Sequence, residues 1–220
     1  MNRPLLATLA LLSLATSAGC HRRYKNAAPE LGSVQLNVKL DVQPSIAGAE
    51  LSDVKVPEDS ADAVALGAEI ATAALSIKVA KILTKAVDPA AVEAALTKGV
   101  VDKTARRPPP YAVSEAKGKG DLEVTVTGYG VSVQGGSPSV WISTQTAIYE
   151  RDGDKVYRAS ETCSTDLPGL LPMALPGRVG ELQAMASLAE LKPKEIEAVL
   201  GALAVTCGKK VAAELVKHAN

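Results

Sequence analysis

Residues 122–164 hold three segments in close succession: LEVTVTGYGVSV (122–133), VWISTQTAIYE (140–150) and KVYRASETCS (155–164). They are rich in β-branched and aromatic residues, and Leu122, Val124 and Val126 recur at period two, so the segments read as consecutive strands. Asp152-Gly153, between Tyr149-Glu150 and Val156-Tyr157, signals a tight hairpin, because such turns need residues that tolerate positive φ. Gly135-Gly136 with Pro138 marks the first connection. Gly128 and Gly130 leave room inside the first strand for a bulge or a close backbone approach. The result is a meander whose apolar face the rest of the chain must cover.

Upstream, Val34, Leu36, Val38, Leu40 and Val42 alternate with Gln35, Asn37, Lys39 and Asp41. Five apolar residues at period two make the clearest strand in the chain, and Pro44 ends it. Residues 50–56 fit a short further strand. Residues 57–62, Pro-Glu-Asp-Ser-Ala-Asp, form an acidic turn in which Asp59 or Ser60 can cap the helix that follows. The spacing and glycine of a calcium loop are missing there. The helix runs to Val87 with two apolar stripes, one through Leu66, Ile70, Ala73, Ile77 and Ala80, the other through Val64, Ala71, Leu75, Val79 and Ile82. Two stripes predict a largely buried helix, while Lys78, Lys81 and Lys85 exclude a membrane span. Asp88-Pro89 restarts a helix, Asp as cap and Pro at the first helical position. It carries Val92, Leu96 and Val100 and stops before Pro108-Pro109-Pro110.

Downstream, residues 167–177 are apolar, but Pro168, Pro172 and Pro176 forbid a regular helix. Leu167, Leu170, Leu171, Met173 and Leu175 either fold over an edge of the core or present a surface to a partner. Two helices follow, 178–191 and 193–218, the last with Ile196, Leu200, Leu203, Cys207, Val211 and Leu215 on one stripe. The order predicts an α/β fold of the α+β type: a small mixed or antiparallel sheet of about four strands packed with four helices, in one domain spanning 33–220.

Basic and acidic residues balance at 24 each, which gives no global attraction to nucleic acid or to anionic membrane. There is no Phe, so the core must be built from Ala, Val, Leu and Ile. The six aromatics are Tyr24, Tyr111, Tyr129, Trp141, Tyr149 and Tyr157.

The first twenty residues have the layout of a secretory signal: Arg3, an uncharged apolar run over 5–15, then Ser17-Ala18-Gly19 before Cys20. The run is shorter than the roughly 20 residues a spanning helix wants. Small residues ending at a cysteine resemble a bacterial lipoprotein signal, which implies cleavage after residue 19 and lipidation of Cys20 with palmitate-type chains. The alternative is an ordinary signal peptide with a chance cysteine. His21, where Asp would favour inner-membrane retention by the same resemblance, implies an outer-membrane anchor facing the periplasm. Residues 20–32 then read as a polar lipidated tether, in which Arg22, Arg23 and Lys25 serve either head-group contact or solubility. With Cys20 set aside for lipid, Cys163 and Cys207 remain, and an oxidising compartment favours their pairing over a free buried pair.

Tyr111-Ala112-Val113, then Gly120-Asp121-Leu122-Glu123-Val124, then a strand after Asp152-Gly153 resemble a pattern in periplasmic lipoproteins. Similar arrangements occur in the curli secretion-channel lipoprotein, in lipoprotein activators of penicillin-binding proteins, and in the amino-terminal domain of the Tol-system propeller protein. The likeness covers roughly residues 60–164. Gly120 stands where alanine is usual, and the resemblance implies a fold and a compartment, not a binding site.

His21 and His218 lie beside the anchor and at the far end of the last helix, which disfavours a histidine-based nucleophilic mechanism. Zinc-ligand spacings are absent, and Gly128-Tyr129-Gly130 lacks the third glycine of a dinucleotide fingerprint. No cofactor and no metal is expected. Ser114-Glu115-Ala116-Lys117 fits the Ser-x-x-Lys spacing of penicillin-recognising enzymes, without their partner motifs. Glu123, Glu150 and Glu161 are the strand acids available to a glycan hydrolase, which needs two facing carboxylates. The reading is therefore a lipid-anchored, non-enzymatic binding or assembly module with an envelope protein partner and no nucleic acid. Its alternative is an envelope glycan hydrolase working through a carboxylate pair.

Overall fold

A computed structural model describes residues 22–47, 63–133, 138–167 and 178–220. Helix α1 (22–27) leads into strands β1 (Ser33–Leu40) and β2 (Ser45–Ala47). Helices α2 (Ala63–Ala86) and α3 (Pro89–Arg106) follow, then strands β3 (Ala112–Ser114), β4 (Gly120–Ser132), β5 (Ser139–Tyr149) and β6 (Lys155–Asp166). Helices α4 (Arg178–Leu188) and α5 (Pro193–Ala219) close the chain. The strands form one mixed sheet in the order β3-β1-β4-β5-β6, with β2 beside β4. β1 is parallel to β3 and β4, and β4, β5 and β6 are the expected antiparallel meander. Parallel neighbours cannot be joined by a tight turn, so α2 and α3 supply the crossover between β1 and β4.

The described residues thus hold six strands and five helices instead of the expected four and four. β2 and β3 are three residues each, too short for alternation to show. β2 exists because Gly130 admits it: a Cβ there would lie 1.7 Å from the Ser45 carbonyl oxygen. The bulge foreseen at the strand glycines is a register shift between Val126 and Gly128. The Asp152-Gly153 turn is closed by Glu150 N–H donating to Asp154 O at 2.9 Å, with Gly153 at φ 89°. Residues 50–56, the 57–62 turn and the Gly135-Gly136 connection lie outside the described residues.

Asp88 caps α3 by accepting from Ala90 N–H at 3.0 Å, with Pro89 at its start. α3 packs on α5 where two glycines meet, because a Cβ on Gly99 would fall 2.2 Å from Val205 O and one on Gly208 2.3 Å from Leu96 O. All six stripe residues of α5, Ile196 through Leu215, are buried. α2 departs from expectation. Val79 and Leu83 are fully buried, but Ile77 is 58 % exposed, so only one of its two stripes faces the core there.

Two apolar clusters fill the interface between helices and sheet. The first gathers Leu83, Leu96, Ile142, Met185, Leu188, Ile196, Leu200 and the two cysteines. The second gathers Tyr24, Leu122, Tyr157, Val100, Val211, Ile148 and Leu215. Val38 packs against both. The polar tether reading of residues 20–32 needs correction over its described part. Residues 22–27 are helical, and Tyr24, Ala28 and Leu31 are buried in the second cluster. The physical reason is that one large aromatic, with two apolar neighbours at spacings of four and three, suffices to dock a short helix against an open core.

Candidate functional site

Three of the six aromatics converge where α1, the first described helix, meets α5. Tyr24 is wholly buried. Its ring is 4.5 Å from that of Tyr157 and 6.4 Å, edge-on, from that of Tyr111. Its hydroxyl is hydrogen-bonded to the Tyr111 hydroxyl and donates to the Leu215 carbonyl at 3.2 Å. The Tyr157 hydroxyl lies 3.1 Å from Nδ1 of His218, whose Nε2 faces the Glu214 carboxylate at 3.5 Å. A Tyr157 O–H donating to Nδ1, with the proton of the imidazole on Nε2, serves both neighbours at once. Burial raises the pKa of Tyr24, Tyr111 and Tyr157 well above the ordinary phenol value, so each is a neutral donor at physiological pH. Around this knot, Arg23 pairs with Asp154 at 2.5 Å, and Lys25 donates to the Asn220 carbonyl at 2.5 Å. The segment that follows Cys20 is therefore held by its centre and both flanks.

Sequence reasoning missed this cluster, although His218 extends the Val211–Leu215 stripe at the next spacing of three and Glu214 stands one turn before it. Beside it opens a cleft of about 440 Å³ lined by Glu30, Leu31, Lys119, Glu150, Arg151 and Asp152. Both signs of charge line its walls.

Cys163 and Cys207 are joined, their Cα atoms 5.7 Å apart, and the bond ties β6 to α5 across 44 residues. Leu167 is buried and its N–H donates to Pro138 O at 3.1 Å. It therefore closes the core and does not offer a partner contact. Leu170, Leu171, Met173 and Leu175 lie outside the described residues, as do Cys20 and His21.

The strand acids do not converge. Glu123 pairs with Lys39 at 3.3 Å and Glu161 with Lys210 at 2.8 Å. Glu123 projects on the face away from the helices, opposite to its buried neighbours Leu122 and Val124, whereas Glu161 lies on the same face as Cys163. The third acid, Glu150, lines the cleft. Ser114 sits on β3, where its hydroxyl donates to Ala116 O at 3.3 Å in an exposed loop.

The sequence matches no protein-family model and no curated protein. Solved structures give partial overlaps. A Xanthomonas campestris protein assigned to DUF330 is 11% identical over 86% of each chain, with a TM-score of 0.37. An uncharacterised protein is 14% identical over 83% of this chain and 90% of its own, with a TM-score of 0.34. A Neisseria meningitidis lipoprotein is 15% identical over 71% of this chain and 93% of its own, with a TM-score of 0.23. At these values the overlaps assign neither family nor function.

Proposed function

We propose that the chain is a bacterial envelope lipoprotein, anchored through lipid on Cys20 and acting as a non-enzymatic binding or assembly module. The observation that carries this reading is the apolar run that ends in Ser17-Ala18-Gly19-Cys20, and the burial of Tyr24 says how closely the domain follows that cysteine. Four residues after Cys20 the chain is already part of the fold, so an acyl chain on Cys20 would hold the domain directly, without a slack linker. Acyl burial contributes about 0.8 kcal/mol per methylene, and two or more chains suffice for stable anchoring. The Cys163–Cys207 bond supports export, since such bonds persist in oxidising compartments. His21 favours the outer membrane and a periplasm-facing domain. The partner is an envelope protein, and Leu170, Leu171, Met173 and Leu175 are the side chains assigned to its capture.

Changing Cys20→Ala tests the anchor. The expected result is uncleaved precursor or release of soluble protein. A processed variant that still fractionates with membranes would overturn the reading.

A further inference from the structure

β6 is an outer strand of the sheet, and among the described residues only β5 pairs with it. Two contacts fix which of its backbone groups point inward. Leu167 N–H donates to Pro138 O, and Thr144 Oγ1 donates to Glu161 O at 3.4 Å, so the odd-numbered residues turn their N–H and C=O toward β5. By the two-residue repeat of a strand, Arg158, Ser160, Thr162, Ser164 and Asp166 turn theirs outward. Lys210 Nζ meets the outward carbonyl of Thr162 at 3.2 Å. The side chains of the same five residues also share one face. Cys163 points into the helices to reach Cys207, and the even-numbered residues point the other way, all exposed.

The sequence of that edge is self-complementary. If a second copy pairs antiparallel along β6 with the two-fold axis at Thr162, Thr162 faces Thr162 and Ser160 faces Ser164. Arg158 then faces Asp166 on both sides of the axis. Each of these pairs consists of residues whose backbone groups point outward, and the odd-numbered residues between them form the alternating non-hydrogen-bonded pairs, so the ladder closes without a bulge. Moving the axis to Glu161 or Cys163 keeps the backbone parity but puts a serine opposite Arg158 or Asp166 and loses both ion pairs. The geometry points to a dimer of this chain formed by β6–β6 pairing about Thr162, which joins two sheets into one continuous sheet. Lys210 yields the Thr162 carbonyl to the second copy and keeps its pairing with Glu161 at 2.8 Å. A lysine guarding an outer strand is a common device against indiscriminate edge pairing, and here it restricts the edge to a partner able to supply matching backbone groups. This inference does not depend on how the chain is anchored.

The test is the size of the full chain in mild detergent, measured by sedimentation. The parent should be a dimer. Arg158→Asp places like charges opposite each other twice, and should weaken association about tenfold or more. Arg158→Asp combined with Asp166→Arg should restore it. As a second arm, Thr162→Pro removes an outward N–H at an outer strand, a position where proline is tolerated, and should give a monomer that retains the Cys163–Cys207 bond by unreduced mass. A monomeric parent, a dimer indifferent to Arg158→Asp, or a double variant no better than the single one overturns the inference.

Discussion

The Tyr24 hydroxyl donates to the Leu215 carbonyl at 3.2 Å, joining the first described helix to the last across 191 residues of chain. That bond, with the Tyr111 hydroxyl and the Tyr157 ring around it, makes the segment from residue 22 to residue 31 a structural member of the domain. If Cys20 carries lipid as proposed, anchoring and folding meet at this one side chain.

Tyr24→Ala should destabilise the domain by about 3–5 kcal/mol, the usual cost of emptying a large aromatic site. Tyr24→Phe keeps the ring and should cost about 1–3 kcal/mol, because the Leu215 carbonyl loses a donor in a buried place. Urea unfolding curves at neutral pH measure both. A loss below about 1 kcal/mol for Tyr24→Ala would mean that the segment merely rests on the core.

The same knot should make stability fall in alkali. Burial raises the phenol pKa of Tyr24, Tyr111 and Tyr157 in the folded chain. The unfolded chain therefore loses these protons first, near pH 10. Stability is full below about pH 10 and is lost as pH climbs beyond it, by up to about 1.4 kcal/mol per pH unit for each phenol held neutral. Urea midpoints between about pH 8 and 11 should drop accordingly, and less steeply in Tyr24→Phe. Flat midpoints across that window would contradict the burial of the cluster.

Two glycines of α5 should respond with opposite signs. Gly201 has nothing within 4 Å of an added Cβ, so Gly201→Ala should stabilise by about 0.5–1 kcal/mol through helix propensity. At Gly208 an added Cβ meets the Leu96 carbonyl of α3 at 2.3 Å. Gly208→Ala should therefore destabilise by about 1–3 kcal/mol by forcing the helices apart. Thermal unfolding of both variants decides it, and equal effects would contradict the close approach of α3 and α5 at Gly208.

Removing the disulfide as Cys163→Ala with Cys207→Ala should cost up to about 4 kcal/mol on the chain-entropy account. The ends of the linked segment are otherwise held by the packing of α5 on β5 and β6. Denaturant unfolding with and without reductant measures it. If reduction leaves the midpoint unchanged, the bond contributes nothing to this fold.

The parts legible in the sequence were those with a long, clean period. The meander, β1 and the buried stripe of α5 each repeat one spacing over several residues, and the structure follows them, while the start of α3 was legible from the capping chemistry of Asp88-Pro89. β2 and β3 were not legible, because three residues cannot display an alternation and their pairing depends on Gly130 and on the parallel neighbour β1. Ile77 misled because Ala-rich helices offer apolar residues on more sides than the core can cover. α1 was hidden in a run of charged residues whose one decisive side chain, Tyr24, acts through partners more than 80 residues away in sequence. The tyrosine knot was likewise invisible, since its members come from four separate parts of the chain. Cys163 and Cys207 were legible by elimination once Cys20 was assigned to lipid.

Mass spectrometry of the N-terminal peptide, taken from the chain purified out of bacterial membranes, tests the lipoprotein reading most directly. The account predicts a mature chain that begins at Cys20 and carries acyl groups on that residue. A chain beginning elsewhere, or one with an unmodified Cys20, would contradict it.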